Sequence, residues 1–217
     1  TEGNITKGTV ADGESLDLSA SITGRNKGVY EEFDADPTYK VTDGEGNETT
    51  ANYSIAVTGK LTIEQAAADA FTGTVTLDDW TYGDEAKAEV PEVAPEGSDY
   101  DGPTYQYKVR GADDSTYTDQ KPTQAGDYTV KAVWAATENC PEISDTDDFS
   151  ILRREITVHA EKTVKYNGSD QTLDITEGNI TKGTVADGES LDLSASITGR
   201  NKGVYEEFDA DPTYKVT

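Results

Sequence analysis

The sequence predicts an all-β chain, made of tandem small antiparallel β-sandwich modules strung into an elongated rod. Three observations predict it: a long internal repeat, apolar residues placed with period two, and turn signals at short, regular intervals. Composition alone argues the other way. Leu, Ile, Val and Phe make up 37 of 217 residues, and 43 acidic side chains against 18 basic ones give a net charge of -25. Few large apolar residues with high net charge are the mark of a disordered chain. The placement of those residues answers the objection.

The repeat comes first. Residues 1–42 and 176–217 are identical, an offset of 175. That period is too long for solenoid repeats, which run to about 20–50 residues, and fits one or more whole domains per repeat. Recurring endings set the expected boundaries, since Phe149-Ser-Ile-Leu152 echoes Tyr53-Ser-Ile55. Residues 1–65 are then a module A lacking its opening strands, 66–154 a complete module B, and 155–217 the next module A lacking its closing strands. The terminal modules are thus expected to be truncated. With no signal peptide and a start at Thr1, the chain is expected to be an internal fragment.

The elements follow in order. Asp12-Gly13 is a turn. Val41 to Thr49, with Asp43-Gly44 and Gly46-Asn47 inside it, is a hairpin loop. Tyr53, Ile55 and Val57 alternate with polar residues, and with Gly59-Lys-Leu-Thr-Ile63 they read as a closing strand pair. Ile63-Glu-Gln-Ala-Ala-Ala-Asp-Ala70 is the one helix-like stretch, about a turn long and too short to be stable alone. Tyr105, Tyr107 and Val109 share a face, as do Tyr128, Val130, Ala132 and Trp134. Asn167-Gly168 and Asp187-Gly188 are further turns. Leu191, Leu193, Ala195 and Ile197 share a face, then Tyr214 and Val216. Such alternation is what a half-buried antiparallel strand requires. The 12 Tyr residues add buried area that the aliphatic count misses. Short strands spaced in this way suggest a β-sandwich.

Charge and residue counts exclude several chemistries. A chain this acidic repels phosphate backbones and anionic membrane surfaces, so no nucleic-acid partner is expected. No apolar run reaches the length of a spanning helix, so no membrane insertion is expected in this segment. One Cys, Cys140, allows no internal disulfide; it reads as a loop or strand-end residue, with an interchain cross-link as the alternative. One His, His159, cannot complete a Cys/His zinc site and reads as a strand-face residue. No Gly-rich loop joins a strand to a helix. The sequence therefore offers no catalytic, cofactor-binding or metal-binding set, and an enzyme is not expected.

Weaker candidates remain. Asp145-Thr-Asp-Asp148, Asp34-Ala-Asp36, Asp113-Asp114 and the loop from Asp43 to Glu48 carry oxygen donors that calcium could use, though none has the EF-hand order. The plainer reading is solvated loop carboxylates. Lys7, Lys162 and Lys165 lie near strands, where a Lys–Asn cross-link could form. Trp80 and Tyr82 could stack on a sugar, against the alternative that Trp80 packs at a module edge. Asn-X-Ser/Thr sequons stand at Asn4, Asn47, Asn52, Asn167 and Asn179.

Read together, Val164-Lys-Tyr-Asn-Gly168, Gly203-Val-Tyr205, Tyr39-Lys-Val-Thr-Asp-Gly-Glu-Gly-Asn47, Asn52-Tyr-Ser-Ile55 and Gly59-Lys-Leu-Thr-Ile63 resemble the bacterial Ig-like repeats called MBG domains. Trp80-Thr-Tyr-Gly83 and Pro122-Thr-Gln-Ala-Gly-Asp-Tyr-Thr-Val130 are similar to a sister form. Order and spacing carry the likeness, not any single motif, and Asn167 stands where the family usually has Asp. The resemblance implies an Ig-like sandwich used as a repeated spacer in adhesin-like proteins attached to the bacterial cell wall. It implies no catalytic residues. On that footing the expected role is a stalk that projects a distal adhesive domain. A glycan- or host-matrix-binding module acting by avidity is the alternative. Any host glycan or matrix protein would be engaged through other domains, and head-to-tail contacts between the truncated ends are expected.

Overall fold

The computed structural model describes residues 7–217. Strand takes 37% of the chain and helix 4%, so the protein is nearly all-β. Among the described residues helix occurs in three single 3₁₀ turns, Thr50–Asn52, Asp114–Thr116 and Glu177–Asn179. The strands form several small sheets, mostly antiparallel. Turn chemistry holds where the sequence places it: Gly13, Gly46, Gly168 and Gly188 all have φ between 79° and 86°, the left-handed region that favours glycine.

The chain divides into two compact units. The first holds the described residues up to Thr72 together with Ala94–Asp101 and Ala135–Ile143. The second holds Gly73–Val93, Gly102–Trp134 and Ser144–Thr217. Two loops that fall within 66–154 in the sequence thus belong with the first unit.

The first unit contains β1 (Ser15–Ser19), β2 (Gly28–Tyr30), β3 (Thr38–Thr42) and β4 (Leu61–Ile63). β1 pairs with β3, Leu16 opposite Val41, and β2 pairs with β4, Val29 opposite Thr62. Val41 is fully buried, and its amide donates to Thr50 Oγ1 at 2.9 Å. Tyr53, Ile55 and Val57 are half-buried and alternate with exposed neighbours, yet they join no ladder. Of the expected closing pair only β4 is a strand. Tyr53 is held instead by its hydroxyl, which donates to Glu14 and accepts from the Ala11 amide. The helix-like stretch shrinks to one turn, Ala70 N–H to Ala67 O. The Ala66 amide is taken by Asn139 O at 2.8 Å, and a segment this short gains too little from helical bonds to compete.

The second unit contains β5 (Thr72–Thr76), β6 (Trp80–Thr81), β7 (Val90–Ala94), β8 (Thr104–Val109), β9 (Gly126–Trp134), β10 (Ile143–Leu152), β11 (Thr157–Val158), β12 (Gln171–Ile175), β13 (Ile180–Lys182), β14 (Leu191–Gly199) and β15 (Thr213–Val216), a few boundary residues falling in the first unit. Its main sheet runs β6-β10-β9-β8. β8 and β9 are antiparallel, but β6 and β10 are parallel, Trp80 opposite Ile151. This corrects the wholly antiparallel expectation. β7, β8 and β9 separate the two strands in sequence, and a connection that long permits a parallel pair. Trp80, Tyr107, Val130, Ala132, Trp134, Phe149 and Ile151 form the core.

The repeat is present in both units and acts as an internal control. Leu191 lies opposite Val216, the register of Leu16 and Val41. Asp209 accepts hydrogen bonds from the Ser196 and Thr198 hydroxyls and the Thr198 amide. Asp34 accepts the same three from Ser21 and Thr23. Tyr30 and Tyr205 each lie across a glycine, Gly24 and Gly199, where a Cβ would collide with the ring. These features are local and survive a change of surroundings.

Other features do not survive. β14 is nine residues long against five for β1. The extra residues pair with β12, and their counterparts Ala20–Gly24 join no ladder. Conversely Gly28–Tyr30 pair with β4, whereas Gly203–Tyr205 are not a strand. Tyr214 and Val216, expected to face inward, are 77% and 44% exposed. Val109, expected inward, is also exposed. Period two decides which residues share a face, but burial needs a second layer over that face. β15 and β8 stand at sheet edges.

Candidate functional site

The sequence-predicted candidates resolve into structural roles. In the acidic run of β10, Asp145 Oδ2 accepts the Val75 amide at 3.0 Å and Asp147 Oδ2 the Leu77 amide at 2.8 Å. Asp148 accepts the Thr129 hydroxyl at 2.6 Å and pairs with Arg110 Nε at 3.2 Å. These carboxylates take the place of a backbone ladder, satisfying amides that would be costly to bury unpaired.

The other acidic loops are alike. Asp43 accepts the amides of Glu45 and Asn47 and the Asn47 side chain, and the Asn47 side-chain bond leads in holding its carboxyl below the usual value. Asp113 caps Asp114–Thr116 by accepting the Ser115 amide at 2.9 Å. Among the described residues no three His, Cys, Asp or Glu side chains converge as metal ligands would.

Trp80 is buried and stacked on Phe149, with centroids 5.3 Å apart and planes 13° from parallel. It is a core residue and not an exposed platform. The Tyr82 hydroxyl donates to Glu189, and the Tyr82 carbonyl accepts from Arg154 Nε at 2.9 Å. His159 is exposed at the end of β11, 3.2 Å from Glu161, with its amide bonded to Asn179 O. Lys162 Nζ donates to the Thr172 carbonyl at 2.6 Å, and Lys7 and Lys165 are exposed. Of the sequons, Asn4 lies outside the described residues.

Cys140 is free and buried, so its sulfur is not presented to another chain. It belongs to a polar knot in the first unit. Asp99 accepts from the Thr137 hydroxyl and from Asn139 Nδ2, at 2.5 and 2.7 Å. Asn139 Oδ1 accepts the Lys27 amide at 2.6 Å. Gln65 Nε2 reaches the carbonyls of Thr137 and Cys140. Sequence reading missed this knot, because its members lie in separate loops.

Sequence reading also missed the group that most resembles an active site. In the second unit an open depression is lined by Thr104, Tyr105, Tyr107, Asp119 and Lys121. Two of these lining residues meet Glu89, which lies 2.7 Å from Lys121 Nζ and accepts the Tyr107 hydroxyl. Lys121 also sits 5.5 Å from the Trp80 ring centroid, a cation–π contact. Burial pushes the Glu89 carboxyl up, but the bonds from Lys121 and Tyr107 outweigh it and hold the group low. Burial leads in pushing the Tyr107 phenol far up, reinforced by Glu89. Glu89 is therefore held anionic and Tyr107 neutral, and both are bonded within the group. Both contacts fall on Glu89 Oε1, so one carboxylate oxygen ties the three side chains into a single group. Perturbed groups of this kind occur both at functional sites and in structural ion pairs.

No family model matches the chain, and no curated protein and no solved structure matches it at a significant level.

Proposed function

We propose that this chain is a non-enzymatic spacer from a tandem-repeat protein of the bacterial cell surface, with small Ig-like sandwich modules in an elongated rod that projects a distal adhesive domain. One observation carries the reading: the same 42 residues occur at an offset of 175 and keep one strand register and one Asp-centred clamp in both places. A unit that rebuilds itself suits a role in which repeat number sets reach. The acidic surface supports it, since like charge keeps an array soluble and discourages pairing between identical neighbours. The resemblance of Val164–Gly168, Gly203–Tyr205 and their companion motifs to MBG repeats points the same way.

The rival reading is a glycan- or matrix-binding module acting by repeat avidity, favoured by the exposure of Tyr166 and Tyr214, 70% and 77%. Proteins carrying one, two and four periods separate the two. For a spacer the maximum dimension in solution scattering rises by a constant increment, roughly 30 Å or more per module, and a glycan array stays blank. A compact particle, or a selective glycan hit, rejects the spacer.

A further inference from the structure

Asn167 precedes a glycine, and no other asparagine of the chain does. The pair lies exposed in the turn ahead of β12. Gly168 has φ 79°, and a Cβ built there would meet nothing nearer than the Tyr166 hydroxyl at 3.9 Å. Asn167 Oδ1 accepts two hydrogen bonds, from the Ser169 amide at 3.0 Å and from Gln171 Nε2 at 3.1 Å. Among the described residues neither Asn167 Nδ2 nor the Gly168 amide has a hydrogen-bond partner. Asn47 and Asn139 stand in contrast. Their Nδ2 groups donate to Asp43 and Asp99, and the residues that follow them are Glu48 and Cys140.

We propose that Asn167–Gly168 is a self-modification site, at which the chain's own backbone converts a carboxamide to a carboxylate. The Gly168 nitrogen gives its proton to hydroxide and attacks Asn167 Cγ. A cyclic imide closes as the Cγ–Nδ2 bond breaks, Nδ2 taking a proton from water and leaving as ammonia. Water then adds at either imide carbonyl and opens the ring to Asp or to isoaspartate. Negative charge gathers on Oδ1 in the tetrahedral intermediate, where the Ser169 and Gln171 donors already point. Glycine suits the second position because it lets the backbone nitrogen approach closely as the ring forms. The Asp product keeps an oxygen for Ser169 and Gln171 and adds a negative charge. The isoaspartate product inserts a methylene into the backbone just before β12, whose Gln171 lies opposite Gly199. The inference stands on this turn alone and does not rest on the spacer reading.

The test incubates the full chain at mildly alkaline pH and follows every asparagine by peptide mass spectrometry, with isoaspartate separated by chromatography. Expected is conversion at Asn167 ahead of all other asparagines, by loss of one ammonia and gain of one water. Gln171→Met keeps the length of the side chain but removes the donor. It slows conversion of the folded chain by about three- to tenfold, the worth of one hydrogen bond. In urea, where the turn is lost, wild type and Gln171→Met convert at the same rate. Faster conversion at another asparagine, equal rates for the two folded chains, or a slowing that persists in urea overturns the proposal.

Discussion

Val41 and Val216 hold the same place in the same sequence, each opposite the equivalent Leu, yet Val41 is fully buried and Val216 is 44% exposed. Val41→Ala should therefore cost about 1.5–3 kcal/mol, the loss of transfer energy plus a cavity. Val216→Ala should cost under about 0.5 kcal/mol, as at other surface sites. Hydrogen exchange at β3 and β15 in the two variants reads each effect locally, and equal costs would contradict the difference in burial.

Phe149 is the centre of the second unit's core. It is fully buried, stacks on Trp80 and on Tyr128, and meets Tyr107 edge-on. Phe149→Ala should lose about 3–5 kcal/mol. The urea midpoint followed by tryptophan emission should fall accordingly, because Trp80 sits against the substituted ring.

The group formed by Glu89, Tyr107 and Lys121 should limit stability at high pH. Tyr107 has a folded pKa raised above its ordinary 10.0. Its contribution is thus fully present below pH 10.0 and is lost as pH rises through the folded value. Glu89 has a folded pKa below its ordinary 4.5, so its contribution is present above 4.5 and lost as pH falls through the folded value. Tyr107→Phe should flatten the alkaline limb of the stability profile. Glu89→Ala should cost about 1–3 kcal/mol at neutral pH by leaving a buried hydroxyl without its acceptor.

Asp34 and Asp209 should titrate as twins. Hydrogen bonds from Ser21 and Thr23 hold the first below the ordinary 3.8, and those from Ser196 and Thr198 hold the second. Depressed carboxylates stabilise the fold above the unfolded value and lose that effect as pH falls through the folded one. Carboxyl carbon NMR should place both midpoints below 3.8 and close together. A midpoint at or above 3.8 for either would contradict the clamp.

What the sequence disclosed depended on range. The alternation of Tyr128, Val130, Ala132 and Trp134 located a buried strand, and Asp12-Gly13 or Asn167-Gly168 located turns, because those features are decided within a few residues. Tyr214 and Val216 obey the same alternation but are exposed, since the layer that would cover them is not a local property. The parallel pairing of Trp80 with Ile151 and the knot of Asp99, Thr137 and Asn139 join segments far apart in the chain. Nothing in the spacing of their residues announces those contacts. The acidic runs read as solvated carboxylates, with calcium ligands as the weaker alternative, because composition cannot tell a free carboxylate from one already accepting a neighbour's amide, as Asp145 and Asp147 do. Glu89 and Lys121 gave no signal at all; only the position of Tyr107 beside Glu89 makes them a group.

The Ser21–Asp34 and Ser196–Asp209 clamps close loops of 13 residues. Closing so short a loop is fast and needs no distant partner. During synthesis each copy can thus fix its own pairing before an identical stretch emerges to compete for it. A protein that repeats 42 residues letter for letter is exposed to exchange between copies, and a contact that forms within one copy first gives the chain a temporal means of telling them apart.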